Sequence, residues 1–203
     1  NDLFVVTDDQ RIADVVQRFG GDSIMTSSDH PSGTDRLAEA VGGLDTDIVI
    51  NIQGDEPLIT PEAIEAVVEP LIEDPDVPMT TLAHRVTRHE DLFNSNMGKV
   101  VFDRRGQALY FSRSPLPWAS GELTQSSLKH DQYYNTVGLY GYRRDFLLTF
   151  AGLEPTPLEK IVSGPIEQLR LAVYDSEQPT EAKQLIQMAG GGPTEPTVLL
   201  EAG

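Results

Sequence analysis

The chain has 203 residues, enough for one α/β domain with a sizeable core and a small appendage. With 15 Lys plus Arg against 32 Asp plus Glu, its net charge of −17 argues against nonspecific binding to nucleic acid or to an anionic membrane. There is no Cys, which excludes disulfides and thiolate metal sites, and no apolar run reaches membrane-spanning length.

A cytoplasmic location is the expectation, since the lack of Cys fits a reducing compartment and no signal-peptide pattern opens the chain. An anionic substrate in so negative a field needs local basic groups and a metal. Arg36, Lys99, Arg113 and Arg143 are the candidates, each otherwise a plain surface charge.

Leu3-Phe4-Val5-Val6 reads as a buried strand. Asp8 or Asp9 then caps a helix carrying Ile12, Val15, Val16 and Phe19, which Gly20-Gly21 ends. Ser23-Ile24-Met25 is a short strand, so the opening is a parallel pair with a right-handed crossover. A first strand this apolar needs neighbours on both sides, so part of a larger domain is expected before Asn1. Residues 26–36 form a small-residue polar loop leading into a helix with Leu37, Ala40 and Val41. The N–H groups at such a helix start suit an anion or a polar base edge, though a plain capping loop fits the composition equally. His30 has no second His at metal-ligand spacing, so a zinc site is not expected there.

The chain is organised around Asp47-Ile48-Val49-Ile50-Asn51-Ile52-Gln53-Gly54-Asp55-Glu56-Pro57. Its apolar run reads as a strand buried on both faces. It stops in a polar turn, which places Asp55 and Glu56 at the carboxyl end of the strand, the edge where open α/β sheets bind ligands. A carboxylate there can hold a divalent cation, and the cation can hold phosphate. A solvated acidic turn is the alternative.

Thr60 and Pro61 start the next helix, with Ile64, Val67, Val68, Leu71 and Ile72 on one face. A strand follows over 79–86, then a loop with a helical turn over 87–96. Lys99–Asp103 and Gln107–Ser112, joined across Gly106, read as a β-hairpin, a departure from the βαβ rhythm. After a polar loop, Tyr133–Arg143 is a strand and 143–150 a helix. Further helix is expected from Pro157, broken by Gly164-Pro165 and resuming at 166–170, with weak helix at 182–189. Gly190–Pro193 is a linker, and 197–200 is at most a short strand.

Taken together, the ordered motifs resemble the CMP-Kdo synthetases, the 3-deoxy-manno-octulosonate (Kdo) cytidylyltransferases. They are Thr-Asp-Asp near residue 8, Asp29–Glu39, Asn51–Pro57, Lys99-Val100-Val101, Ala108–Arg113, Pro117-Trp118, Gly138–Arg143, Pro157-Leu158-Glu159 and Glu167–Arg170. The resemblance implies a nucleotide-diphospho-sugar transferase fold: a mixed, mainly parallel sheet with helices on both faces and an antiparallel hairpin subregion. Residues 1–171 are then a cytidylyltransferase-like domain, with the hairpin and sugar-side region at about 97–143, and 172–203 a divergent tail.

The implied reaction converts CTP and Kdo to CMP-Kdo and pyrophosphate, for lipopolysaccharide synthesis, in a homodimer. The implied cofactor is Mg²⁺, with Asp55 as its ligand. Asp55 and Arg113 are the implied catalytic residues. Ser32, Gly33, Asp35, Arg36 and Gln53 would line the cytidine and ribose pocket, and Arg113, Tyr140, Glu167 and Gln168 would contact the sugar.

Three departures from the family pattern bear on activity. Nothing in residues 1–203 matches the family's basic Gly-containing triphosphate loop; the tail matches no second metal-binding Asp segment; and Thr136 stands where a His is expected, with Ser163-Gly164-Pro165 interrupting the helix before Glu167. A sheet without the strand before that loop is expected to expose apolar edges, and the chain alone to release little pyrophosphate. The alternatives are a non-catalytic binding or assembly homologue of the same fold, or a cytidylyltransferase for a related acidic sugar.

Overall fold

Strand and helix alternate from the first residues, as the apolar spacing requires. The computed structural model describes residues 2–118, 121, 123–126, 128, 133–154 and the backbone of 197–201. The first half runs β1 (Leu3–Thr7), α1 (Gln10–Arg18), β2 (Asp22–Met25), α2 (Gly33–Gly42), β3 (Ile48–Gln53) and α3 (Pro61–Glu73). Next come β4 (Met79–Arg85), α4 (His89–Phe93), the hairpin strands β5 (Lys99–Phe102) and β6 (Ala108–Ser112), β7 (Tyr134–Arg143) and α5 (Arg144–Ala151). The last described element is β8 (Thr197–Glu201). The helices expected over 157–170 and 182–189, and the linker at 190–193, lie outside the described residues.

The described residues fall into two compact units, 2–80 with 138–153 and β8 in one and 81–137 in the other. The chain passes between them within β4 and β7.

In the first unit the strand order is β2-β1-β8-β3-β7. β1 is parallel to β2 and to β8, β8 is parallel to β3, and β3 is antiparallel to β7. This is the mixed, mainly parallel sheet expected. β8 corrects one expectation, that the sheet lacks its central strand and leaves apolar edges open. Leu3↔Val198 and Ile50↔Val198 are both partners, so the tail strand fills the slot between β1 and β3. The physical reason is that an apolar slot between two parallel strands accepts any short extended segment whose backbone satisfies both ladders.

Local chemistry explains the helix limits. Asp9 caps α1, with its carboxylate accepting Arg11 N–H, and the Arg11 guanidinium beside it holds its pKa down at about 2. Thr60 caps α3 with Pro61 in its first turn, and the Thr80 hydroxyl donates to Val67 O at 2.8 Å inside the helix. Val6, Leu37, Val41, Ile48, Val49, Ile50, Val67, Leu139 and Leu147 are buried at 0% exposure, a continuous apolar set around the sheet.

Gly141 sits where α3 approaches β7 most closely. A Cβ there would lie 2.5 Å from Thr80 Oγ1 and 2.7 Å from both Leu71 Cδ1 and Val67 Cγ1. Gly141→Ala is therefore expected to lower stability by about 1–3 kcal/mol through overpacking, read as a lower denaturant midpoint at unchanged slope.

In the second unit β5 pairs antiparallel with both β6 and the first residues of β7. The hairpin turns on Asp103 and Gly106, the latter at φ 75°. Asp103 Oδ1 accepts the N–H of Arg105 at 2.8 Å and of Gln107 at 3.0 Å. These bonds, with Gln107 N–H the largest cause, hold its pKa below the usual carboxylate range. Val86, Leu92, Leu128 and Tyr133 form the local core.

Candidate active site

Because β1, β8 and β3 are parallel, their carboxyl ends share one edge of the first unit. With β8 between them, the ends of β1 and β3 stand two strand spacings apart, roughly 10 Å. Thr7-Asp8 leaves β1 on one side, and Gln53-Gly54-Asp55 leaves β3 on the other.

The start of α2 is tied to the same edge. Arg36, 9% exposed, places Nη2 3.1 Å from Asp8 Oδ2 and donates through Nη1 to Thr26 Oγ1 at 2.9 Å. One buried guanidinium thus joins the ends of β1 and β2 to the first turn of α2. Ser32 caps α2 by accepting Asp35 N–H, and its own hydroxyl donates to the Asp35 carboxylate. Gly33 is the first helical residue. Nearby, His30 pairs with Glu39, whose carboxylate also accepts Ser27 N–H. The His30 contact, as the largest cause, holds the Glu39 pKa below its usual value.

On β3, Asn51 is paired with Tyr140 of β7. Continuing that register puts Gln53 opposite Gly138, so Asn51, Gln53, Gly138 and Tyr140 share one face. Asn51 is 2% exposed, and its Oδ1 has no hydrogen-bond partner among the described residues. Asp55 is exposed and makes no recorded hydrogen bond or ion pair among the described residues.

Ser32, Gly33, Asp35, Arg36, Gln53, Asp55 and Tyr140 therefore all belong to the first unit. Arg113 belongs to the second, and Glu167 and Gln168 lie outside the described residues.

Each of the four basic candidates has hydrogen-bond partners within its own unit, and Arg113 is also exposed. Arg36 holds Asp8 and Thr26. Lys99 is fully buried, and its Nζ donates to the carbonyls of Asn94, Met97 and Arg113. Burial pushes its pKa down. Arg113 Nη1 donates to Ser95 O at 3.1 Å and Asn96 O at 3.2 Å. Arg143 holds Leu71 O, Asp74 O and Val77 O just past the end of α3. The reason is shared: loop and helix-end carbonyls need donors, and a long cation supplies several at once.

Sequence reasoning named Asp8, Glu56 and Gly138 but not the contacts they make, Asp8 with Arg36 and Glu56 with Gly138. For Gly138 a signal existed, since a glycine inside a strand marks a close approach.

Magnesium suits the donor set at Asp55. No cluster of three or more His, Asp or Glu side chains able to hold a metal occurs among the described residues. A site of one carboxylate completed by substrate phosphates and water is the arrangement this hard cation takes.

The cytidylyltransferase family profile matches residues 1–181. A 3-deoxy-manno-octulosonate cytidylyltransferase of Syntrophotalea carbinolica is 51% identical over 171 residues, covering 83% of this chain and 68% of that protein. One from Francisella philomiragia is 43% identical over 190 residues, covering 89% and 75%. The solved structure of a CMP:2-keto-3-deoxy-manno-octonic acid synthetase complexed with CTP superposes with TM-score 0.72 at 35% identity, covering 100% of this chain and 73% of that one. HddC from Yersinia pseudotuberculosis, 10% identical with TM-score 0.55, shares the fold alone. The chain belongs to the cytidylyltransferase family, within its 3-deoxy-manno-octulosonate branch.

Proposed function

We propose that this chain transfers the cytidylyl group of CTP to 3-deoxy-manno-octulosonate, giving CMP-Kdo and pyrophosphate. The observation that carries the reading is Asp55, an exposed carboxylate with no partner among the described residues, leaving the buried strand β3 at the edge that also holds the capped start of α2. The anomeric hydroxyl of the sugar attacks the α-phosphate. A carbon-oxygen-phosphorus link forms, the bond to the β-phosphate oxygen breaks, and the hydroxyl proton is lost. Positioning and electrostatics supply most of the acceleration in such transfers.

Ser32, Gly33, Asp35 and Gln53 line the nucleotide side, where helix-start N–H groups and the Gln53 amide can read a polar base edge. Arg36 shapes that side through Asp8 and Thr26. Tyr140, Arg113, Glu167 and Gln168 are assigned to the sugar side. Mg²⁺, held by Asp55 with the phosphates, supplies charge neutralisation when bound.

A homodimer is part of this proposal. Phe93, Leu109 and Trp118 of the second unit are 51%, 66% and 82% exposed, apolar side chains that a second copy could cover. A cytoplasmic location is part of the proposal; separately, no described helix is long and apolar enough to cross a membrane.

Titration calorimetry and a pyrophosphate assay test the reading together. CTP with Mg²⁺ is expected to give binding heat, and pyrophosphate release is expected to be slow and to require Kdo. Absence of any heat would point instead to an assembly role, and release driven by another acidic sugar would reassign the substrate.

A further inference from the structure

The turn that carries Asp55 is fastened to the sheet by one side chain. Glu56 N–H donates to Gln53 O at 3.0 Å, which closes a four-residue turn with Gly54 and Asp55 in its middle. That bond engages the Gln53 carbonyl. The neighbouring N–H of Gly138 donates instead to Glu56 Oε1, at 2.9 Å. The contact is close. A Cβ on Gly138 would lie 2.7 Å from Gln53 Oε1 and 3.0 Å from Glu56 Cγ, so both side chains fold over the bare glycine. Asp55 has no recorded partner of its own among the described residues, so nothing at its own carboxylate fixes the turn.

We propose that Glu56 is a positioning residue. Its carboxylate locks the Asp55 turn onto β7, two residues before Tyr140, and so sets the spacing between the metal-holding carboxylate and the sugar-side strand. The role rests on the assignment of Asp55 to the metal. It has a corollary. A group bound against Tyr140 and a cation bound at Asp55 act on one shared contact, so whatever factor one imposes on the affinity of the other is returned unchanged.

The test compares the full chain with Glu56→Ala and Glu56→Gln. A glutamine keeps an oxygen able to accept the Gly138 N–H; an alanine does not. In Glu56→Ala, the Mg²⁺ concentration for half-maximal CTP binding is expected to rise about tenfold, the size of one lost charge-assisted hydrogen bond. Gly138 N–H exchange, followed by NMR, is expected to speed up by a similar factor. Glu56→Gln is expected to stay within about twofold of the parent on both measures. A role in stability alone would lower the unfolding midpoint and leave the Mg²⁺ requirement of the folded protein where it was. Parent-like values in Glu56→Ala, or equal damage in both variants, would overturn the proposal. If the parent itself fails to bind CTP with Mg²⁺, the metal assignment falls, and the exchange rate at Gly138 still decides whether Glu56 holds the turn.

Discussion

Deleting residues 197–203 is expected to unfold the first unit. β8 is the shared partner of β1 and β3, with Leu3↔Val198 through Val6↔Glu201 on one side and Val49↔Thr197 through Gln53↔Glu201 on the other. Its loss removes two parallel ladders from the middle of the sheet. Backbone groups of β1 and β3 would then face a gap flanked by Val6, Ile48, Val49 and Ile50, all fully buried. Each buried polar group left without a partner costs about 1–3 kcal/mol. Several such losses exceed the roughly 5–15 kcal/mol by which a whole domain is stable. The truncated protein is expected to lose its cooperative thermal transition, bind a hydrophobic dye and aggregate. A melting temperature within a few degrees of the parent would show that the slot closes without β8.

Asp55→Asn is expected to lower turnover by ~10²–10³-fold while leaving the fold intact, the scale on which removal of a single charge-stabilising group acts. Asp55 is exposed and has no recorded partner among the described residues, so its replacement belongs with surface changes, within about 0.5 kcal/mol of neutral. The neutral amide keeps the shape and removes the anionic oxygen that a hard cation prefers. The expected signature is therefore selective. CTP binding loses its dependence on Mg²⁺, while the unfolding midpoint stays in place. A variant with parent-like turnover, or one that fails by unfolding, would remove Asp55 from the site.

These two residue sets were not equally legible. β3 and its acidic turn announced themselves, because a continuous apolar run ending in Gln-Gly-Asp-Glu has few other uses. The cap at Thr60 was readable for a similar reason, and that of α1 to within Asp8 or Asp9, since a capping bond spans only two or three residues.

β8 was not. A five-residue apolar segment carries no period of its own, and its place depends on partners nearly the whole chain away. The partners of the basic side chains were hidden for another reason. Sequence shows a cation but not the carbonyls that compete for it, and Lys99, Arg113 and Arg143 all went to carbonyls. Asp55 and Glu56 look alike in sequence and diverge in the fold. One has no partner among the described residues, and the other grips Gly138 from 82 residues away.

The position of β8 also bears on how the protein is made. On the ribosome β1 emerges before every other described element, yet its partner on one side is synthesised after all of them. Closing so long a loop carries an entropic cost that grows slowly with length but must be met before any contact rewards it. The nascent chain therefore waits with its central seam unzipped, exposed to chaperones and to other unfinished chains, until β8 has been made.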